Sequence, residues 1–177
     1  PLHVRSSFSK EEGTMIIKGS EKMEEVAVRG ITCNKSEAKV TICSVPDKPG
    51  IAAILFGDIS KGGINVDTIV QNVPHDKLSD ISFTVPKADL NKAIKVTQNI
   101  GNKIGAGEIL EDRNIARVSL VGSGMRSHSG IAAKMFKTLA EEKINIDMIS
   151  TSEISVSCII SQDLADKAVK ALHKAFK

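Results

Sequence analysis

Hydrophobic and polar positions along the chain follow an order that can be read as one small folded unit. A β-rich run at 40–45 is followed by a segment, 51–60, whose apolar residues fall on one face of a helix. Alternating positions at 64–70 and 81–85 predict two strands, 89–99 predicts a second helix, and 108–112 predicts a last strand. The resulting order, βαββαβ, is typical of an α+β ferredoxin-like unit with two helices on one face of an antiparallel sheet.

The same pattern occurs a second time. Residues 38–72 align with 116–152, and the identities concentrate where the first helix begins and where the next strand begins. The second copy predicts strands at 117–121, 144–151 and 154–160 and helices at 131–142 and 164–175, so it is one strand short. The β-rich segment 26–33, which precedes the first copy, is the simplest source of that missing edge strand. We therefore predict two ferredoxin-like units, the first inserted into the second.

This insertion sets the expected domain boundaries. The first unit is predicted to occupy 38–113, and the second to combine 23–34 with 115–177. Residues 1–22 precede both units. The chain begins with Pro1 rather than Met, which suggests a piece of a longer protein.

Composition narrows the possible functions. Of 177 residues, 41% are hydrophobic and 25% charged, which is typical of globular proteins. No apolar run approaches the ~20 residues that span a bilayer, so a soluble, cytoplasmic protein is expected. Aromatic residues make up only 3%, and the net charge of +3 comes from scattered lysines, so binding to nucleic acid is not favoured.

Cysteine and histidine spacing gives no sign of a metal site. Cys33, Cys43 and Cys158 contain no C-x-x-C pair and lie in strand-like stretches, so we expect buried, reduced thiols. The four histidines match no zinc spacing. Neither a metal nor a cofactor is expected.

The loop before the first helix of each copy is the clearest candidate site. Each loop ends in Gly-Ile-Ala-Ala at Gly50 or Gly130, which allows close approach of a ligand to the backbone at the positive end of a helix. Polar residues predicted beside these loops are Asp47, Asn65, Gln71 and Asn145. A small zwitterion suits such a place, but a purely structural interpretation, with caps, turns and strand starts, remains open.

Catalytic interpretations are weaker. Ser127 and His128 are neighbours in a loop without a third orienting group, and the glycine-rich stretch before Gly130 lacks the Lys-Ser or Lys-Thr of a phosphate loop. Asp67 and Asp147 occupy equivalent positions in separate copies, so they do not form an acid and base pair in one pocket.

Four stretches together resemble the regulatory region of the bacterial aspartate kinases: KVTICSVPDKPGIAA, GINVDTIVQNV, RVSLVGSGMRSHSGIAAKMF and INIDMISTSEISVS. The resemblance implies tandem ACT domains, which bind amino acids and have the fold predicted above. The leading segment resembles the end of the family's catalytic domain, including Gly13 and Thr14, whereas that domain's Lys-Phe-Gly-Gly motif is absent. The chain alone should therefore be non-catalytic, within a parent that phosphorylates aspartate with ATP. Met23 lies where some relatives begin a separate regulatory subunit.

The resemblance also implies effectors and site residues. Threonine, lysine or both would inhibit the first step of lysine, threonine and methionine biosynthesis. Carried over by motif, the effector contacts in the first copy are Asp47, Gly50, Ile51, Ala52 and Gln71, joined by Asn145 and Ile146 of the second copy. The equivalent pocket would use Asn65, Gly130, Ile131, Ala132, Ser152 and Glu153, and Asp67 is a further effector-binding candidate. Ala132 stands where some relatives carry a hydroxyl.

The implied partners are a second copy of the chain, giving a homodimer, and the catalytic domain or subunit of aspartate kinase. Two alternatives stay open. The chain could be a stand-alone ACT-type sensor that regulates another enzyme, or a ferredoxin-like nucleic-acid module, which the scarcity of aromatic residues disfavours.

Overall fold

The computed structural model describes residues 2–8, 12–16, 28–122 and 130–177. The first two ranges contain a short antiparallel hairpin of β1 (Leu2–Val4) and β2 (Thr14–Ile16). In chain order the remaining elements are β3 (Gly30–Asn34), β4 (Glu37–Pro46), α1 (Ile51–Lys61), β5 (Ile69–Gln71), β6 (Leu78–Pro86), α2 (Leu90–Ile104), β7 (Ile109–Asp112), β8 (Ile115–Val121), α3 (Ile131–Glu141), β9 (Met148–Thr151), β10 (Ser155–Ser161) and α4 (Ala165–Ala175). Within these ranges, no helix is long and apolar enough to cross a membrane.

Two four-stranded antiparallel sheets organise these elements. The first unit, β4 to β7, has the strand order β5-β6-β4-β7, and the second has the order β9-β10-β8-β3. In the second sheet β3 pairs with β8 and so takes the place that β7 has beside β4 in the first. The predicted fold class is confirmed: both units are ferredoxin-like, and the first is inserted between β3 and β8 of the second. The predicted strand at 26–33 is seen as β3, and its first residues, 26–27, lie outside the described part.

Each unit has its own hydrophobic core between its sheet and its two helices. Along β4, Ala38, Val40 and Ile42 are buried in this core, while the residues between them lie on the opposite face of the sheet. Phe83 of β6 is fully buried, and its ring meets Phe56 of α1 edge to face at 5.6 Å between centroids. At roughly 1.5–3 kcal/mol for each large side chain buried, these residues carry much of the unit's stability.

The second strand of each unit is shorter than predicted. The alternation at 64–70 gives only the three-residue β5, because the amide of Asp67 donates to the carbonyl of Thr84 and the amide of Thr84 donates to the carbonyl of Thr68. Asp67 and Thr68 therefore both pair with Thr84, and this two-to-one arrangement interrupts the regular pairing of the strands. Ile64 is nonetheless buried, so the alternating pattern reflects burial rather than strand pairing. The run 144–151 likewise shortens to β9.

The second helix of the first unit is longer than predicted. It continues beyond residue 99 to Ile104, and Ile100 and Gly101 are buried along this extension. It ends at Gly105, whose φ of 71° is left-handed and whose amide donates to the carbonyl of Gly101. Thr, Asn and Gly are weak helix formers, so packing rather than propensity extends the helix.

Reciprocal ion pairs join the two units. Lys39 of the first unit lies 3.3 Å from Asp147 of the second, and Arg117 of the second contacts Asp67 of the first. Lys39 and Arg117 occupy equivalent positions in the repeat, as do the two aspartates. The contact between the units is therefore close to symmetric.

The expectation that all three thiols are buried is wrong for Cys33. Cys158 is fully buried and Cys43 partly so, but Cys33 is exposed, because it lies on β3, which is an edge strand among the described elements. All three are unpaired.

These exposures predict unequal thiol reactivity. Burial raises the pKa of the Cys158 thiol to about 11, so almost none of it is thiolate at pH 7.5, whereas Cys33 is accessible. Titration of the native chain with a colorimetric disulfide reagent should show one fast thiol that Cys33→Ser removes, and Cys158 should react only after unfolding. Equally fast reaction of Cys158 in the native chain would contradict this.

Candidate functional site

A cavity of about 450 Å³ opens where β4 ends and α1 begins. We call it the loop cavity. It is lined by Val45, Pro46, Asp47, Lys48, Pro49, Gly50, Ile51, Ala52, Gln71 and Ile81. It therefore brings together five of the residues that the sequence selected: Asp47, Gly50, Ile51, Ala52 and Gln71.

The loop's backbone leaves a helix end available to a ligand. Gly50 has a φ of 94°, a left-handed conformation that side chains other than glycine rarely adopt, and α1 begins immediately after it. Within the part of the chain that the structure describes, no side chain caps this helix end. The amides of the first turn and the positive end of the helix dipole therefore favour an anionic group in the cavity.

Charges of both signs flank this helix end. Asp47 and Lys48 are adjacent and exposed in the loop, and the amide of Asp47 donates to the carbonyl of Lys77 at 2.9 Å. A molecule carrying both a carboxylate and an ammonium can thus meet an opposite charge at each end. Lys48 was not among the residues predicted from the sequence, although its place between Asp47 and Pro49 was a usable signal.

The opposite side of the loop cavity is formed by the side-chain amide of Gln71 and by apolar residues. Gln71, at the end of β5, donates from Nε2 to the hydroxyl of Ser79 at 3.1 Å, and this bond fixes the orientation of its amide. Val45 and Ile81 are buried and provide apolar wall. The cavity therefore offers a polar group that can bind a hydroxyl beside a surface that can contact a methyl group.

The equivalent loop of the second unit is described only in part. Gly130 has a φ of 97°, α3 begins directly after it, and no side chain of the described residues caps this helix end. Ile131 is buried, and Ala132 is half-buried in the first turn. Residues 123–129 lie outside the described residues, and with them Ser127, His128 and the glycine-rich stretch.

Other predicted residues of the second unit lie beside its edge strand. Asn145 and Ile146 precede β9, and Ser152 and Glu153 follow it. The Ser152 hydroxyl is 2.8 Å from that of Ser155, and the amide of Ser152 donates to the carbonyl of Ser155, so this turn is well ordered by its own hydrogen bonds.

Asn65 and Asp67 lie elsewhere. They line a separate cavity of about 550 Å³, which also contacts Asn34, Glu37 and Lys87. Asp67 is engaged by Arg117 of the second unit. Within a single chain, the structure does not bring these two residues to the loop cavity.

The left-handed glycine yields a stability prediction. Gly50→Ala should lower the free energy of unfolding by about 1–2 kcal/mol, because a Cβ strains this conformation even though it meets no atom within 4 Å. Gly57→Ala is the matched control: Gly57 lies inside α1 with equally open surroundings, and alanine there should stabilise by roughly 0.5–1 kcal/mol. Urea denaturation measures both. Changes of the same sign would contradict the prediction.

Comparison with a protein-family model matches the ACT domain over residues 40–99 and 118–176, one match in each unit. These matches cover most of both repeats and lie within the two units described above.

Whole-chain comparisons agree. The chain is 51% identical to an aspartate kinase of Stutzerimonas stutzeri, over its whole length but only 43% of that protein. Among solved structures it is similar to the alpha and beta subunits of an aspartokinase, with 47% identity and a TM-score of 0.80. It is also similar to the ligand-free regulatory subunit of aspartate kinase from Thermus thermophilus, with 38% identity and a TM-score of 0.81. In both structural comparisons the matched region includes 85% of this chain and 99% of the other chain. The chain thus spans less than half the length of the curated relative and nearly all of the regulatory subunit.

Proposed function

The chain belongs to the ACT domain family, in the regulatory region of the aspartokinases, and we propose that its loop cavity binds a free amino acid that controls the parent kinase. Alone, the chain is regulatory rather than catalytic. The parent activity that we infer is transfer of phosphate from ATP to the side-chain carboxylate of aspartate. The free, reduced cysteines support a cytoplasmic location.

The observation that carries the proposal is the loop cavity's pairing of an uncapped helix end with Asp47. The ligand carboxylate lies at the first amides of α1, and its ammonium faces the Asp47 carboxylate. This arrangement recognises the part that all amino acids share. Selectivity must come from the residues that face the ligand side chain.

Threonine fits those residues best. Its hydroxyl can bond to the Gln71 amide while its methyl group contacts Val45 and Ile81. A lysine side chain would bring a second ammonium close to Lys48, which disfavours it in this cavity. We propose that lysine binds instead at the loop of the second unit, where Glu153 supplies a carboxylate.

Calorimetric titration of the purified chain tests the proposal. Threonine should bind, and valine, which replaces the hydroxyl by a methyl group of similar size, should bind about 5- to 100-fold more weakly, because it leaves the Gln71 amide unsatisfied. Lysine titrated alone and after threonine tests the second site. Absence of heat with both threonine and lysine, or equal binding of threonine and valine, would contradict the proposal.

The edge strands support a homodimer. Ile69 on β5 and Ile149 on β9 occupy equivalent positions and are 51% and 47% exposed, and each lies on an edge strand of its sheet. Uncovered apolar edges favour pairing with another sheet. We propose that two chains associate through these edges, so that residues before β9 of one chain, including Asn145 and Ile146, approach the loop cavity of the other.

Sedimentation tests the dimer. At tens of micromolar, the chain should sediment as a dimer, and Ile69→Lys should shift it toward monomer because a charge on the edge opposes association. Leu110→Lys is the matched control: Leu110 is similarly exposed, but it lies on β7 at the opposite edge of the same sheet. The proposed interface would be overturned if the wild type were monomeric in the presence of threonine, or if both variants lost the dimer to the same extent.

A further inference from the structure

A buried glutamate lies where the two units meet. Glu37 is the first residue of β4, its side chain is only 6% exposed, and it lines the 550 Å³ cavity together with Asp67. This cavity shares no lining residue with the loop cavity.

Two carboxylates converge on one cation there. Glu37 Oε1 accepts from Asn34 Nδ2 at 2.6 Å and from Arg117 Nη2 at 2.8 Å. The same Arg117 nitrogen also contacts Asp67 Oδ2. Glu37 Oε2 is buried and, among the described residues, has no hydrogen-bond partner.

An ionised Glu37 fits this environment poorly. Its second oxygen would carry negative charge in a buried position without a donor, and Asp67 would repel it beside a single guanidinium. A proton on Oε2 removes both difficulties, because a carboxylic acid can donate to Asp67, which is about half-exposed and so keeps its charge at lower cost. Arg117 then balances one negative charge instead of two.

We propose that Glu37 retains a proton at neutral pH and donates it in a hydrogen bond to Asp67, so that the contact between the two units is a proton-binding site. Release of this proton leaves a buried charge that must be solvated, which weakens the contact. The site would make the association of the units sensitive to pH.

The surrounding groups support this assignment. Burial raises the pKa of Glu37, Arg117 works against this shift, and neighbouring Asp67 adds to it. From β6, Thr84 contributes only a neutral hydroxyl that favours the ionised form. Lys87 lines the same cavity, but its Nζ is held by the carbonyl of Lys35 at 2.7 Å and by the Gln162 side chain. The Lys39 and Asp147 pair, further along β4, is internally balanced.

The pH dependence of unfolding separates a protonated from an ionised Glu37. If its pKa is raised in the folded chain, the unfolded chain loses the proton first, and stability falls as pH rises from about 4.3 through the raised value. The unfolding constant then rises by up to about tenfold per pH unit from this group. An ionised Glu37 paired with Arg117 predicts the opposite: its contribution is lost on acidification.

The test compares the wild-type chain with Glu37→Gln, whose amide imitates the protonated acid, by urea denaturation from pH 5 to pH 8.5. At pH 8.5 the Glu37→Gln variant should be at least as stable as wild type. Between pH 8.5 and pH 5, the folding equilibrium constant of wild type should rise at least about tenfold relative to that of the variant. Asp147→Asn, in the equivalent ion pair with Lys39, should change the stability of the variant relative to wild type by less than about twofold over the same pH range. A wild type that instead loses stability relative to Glu37→Gln on acidification would overturn the proposal.

A direct measurement covers the case in which Glu37→Gln does not fold. In wild-type chain labelled with ¹³C at the glutamate carboxyl, one carboxyl signal should keep the chemical shift of a protonated acid at pH 7. Glutamate carboxyl signals that all show the ionised form at pH 7 would overturn the proposal. Neither measurement involves an amino-acid ligand, so failure here leaves the proposed sensor function untouched.

Discussion

Threonine at about 100 times its dissociation constant is expected to raise the melting temperature of the chain by roughly 5 to 10 °C. A ligand that binds only the folded form at this concentration adds about 2.7 kcal/mol of stability. For a chain of this size each kcal/mol corresponds to roughly 2–4 °C. Thermal denaturation followed by circular dichroism, with valine as the ligand control, measures the shift.

The contribution of Gln71 to this shift is the sharper part of the prediction. Gln71→Ala should remove most of the threonine shift, because it deletes the amide that we place against the threonine hydroxyl, while changing the unliganded melting temperature little. Gln98→Ala is the matched control, since Gln98 is exposed on α2 outside the loop cavity. Equal threonine shifts in both variants would refute the assignment of Gln71.

Phe83→Ala is expected to cost about 3–5 kcal/mol of unfolding free energy, the largest effect of a single substitution that we predict. Phe83 is fully buried in the core of the first unit and contacts Phe56, so its truncation loses burial and leaves a cavity. Guanidinium denaturation at fixed pH measures the change.

Phe8→Ala provides the comparison for this substitution. Phe8 is 99% exposed, so the same change in side chain there should alter stability by less than about 0.5 kcal/mol. A cost below about 1 kcal/mol for Phe83→Ala would contradict the core described for the first unit.

The repeat made the architecture predictable from sequence, because in both copies the hydrophobic pattern changes in the same order between the two-residue period of a strand and the 3.6-residue period of a helix. The incomplete second copy was also informative, because the strand that it lacks could be matched with the unassigned β-rich segment 26–33. Element boundaries were less predictable. The alternation from Ile64 to Thr68 reflects burial of side chains, and only the structure shows that Thr84 serves two successive residues of that segment.

The loop cavity was largely predictable because most of its lining is contiguous in sequence. Residues 45–52 form eight of its ten lining positions, and only Gln71 and Ile81 come from other elements. Gln71 was selected through the repeat and the resemblance to the regulatory region, whereas Ile81 was expected only as part of a strand.

Contacts between the units could not be predicted in the same way. Arg117 lies far from Glu37 and Asp67 in sequence, and nothing in the local pattern of any of them indicates a partner. The resemblance made Asp67 an effector-binding candidate, and only the structure shows its contact with Arg117 of the second unit. Tertiary packing decides such pairs, and periodicity does not encode it.

The most direct test of the central claim, that this ACT domain chain binds an amino acid in the loop cavity, is a threonine titration of the ¹⁵N-labelled chain followed by NMR. The largest amide shifts should fall on Asp47, Lys48, Gly50, Ile51, Ala52 and Gln71, and valine should produce much smaller shifts at equal concentration. Saturating threonine that leaves these amides unchanged, or that shifts only residues outside the loop cavity and its dimer contact, would contradict it.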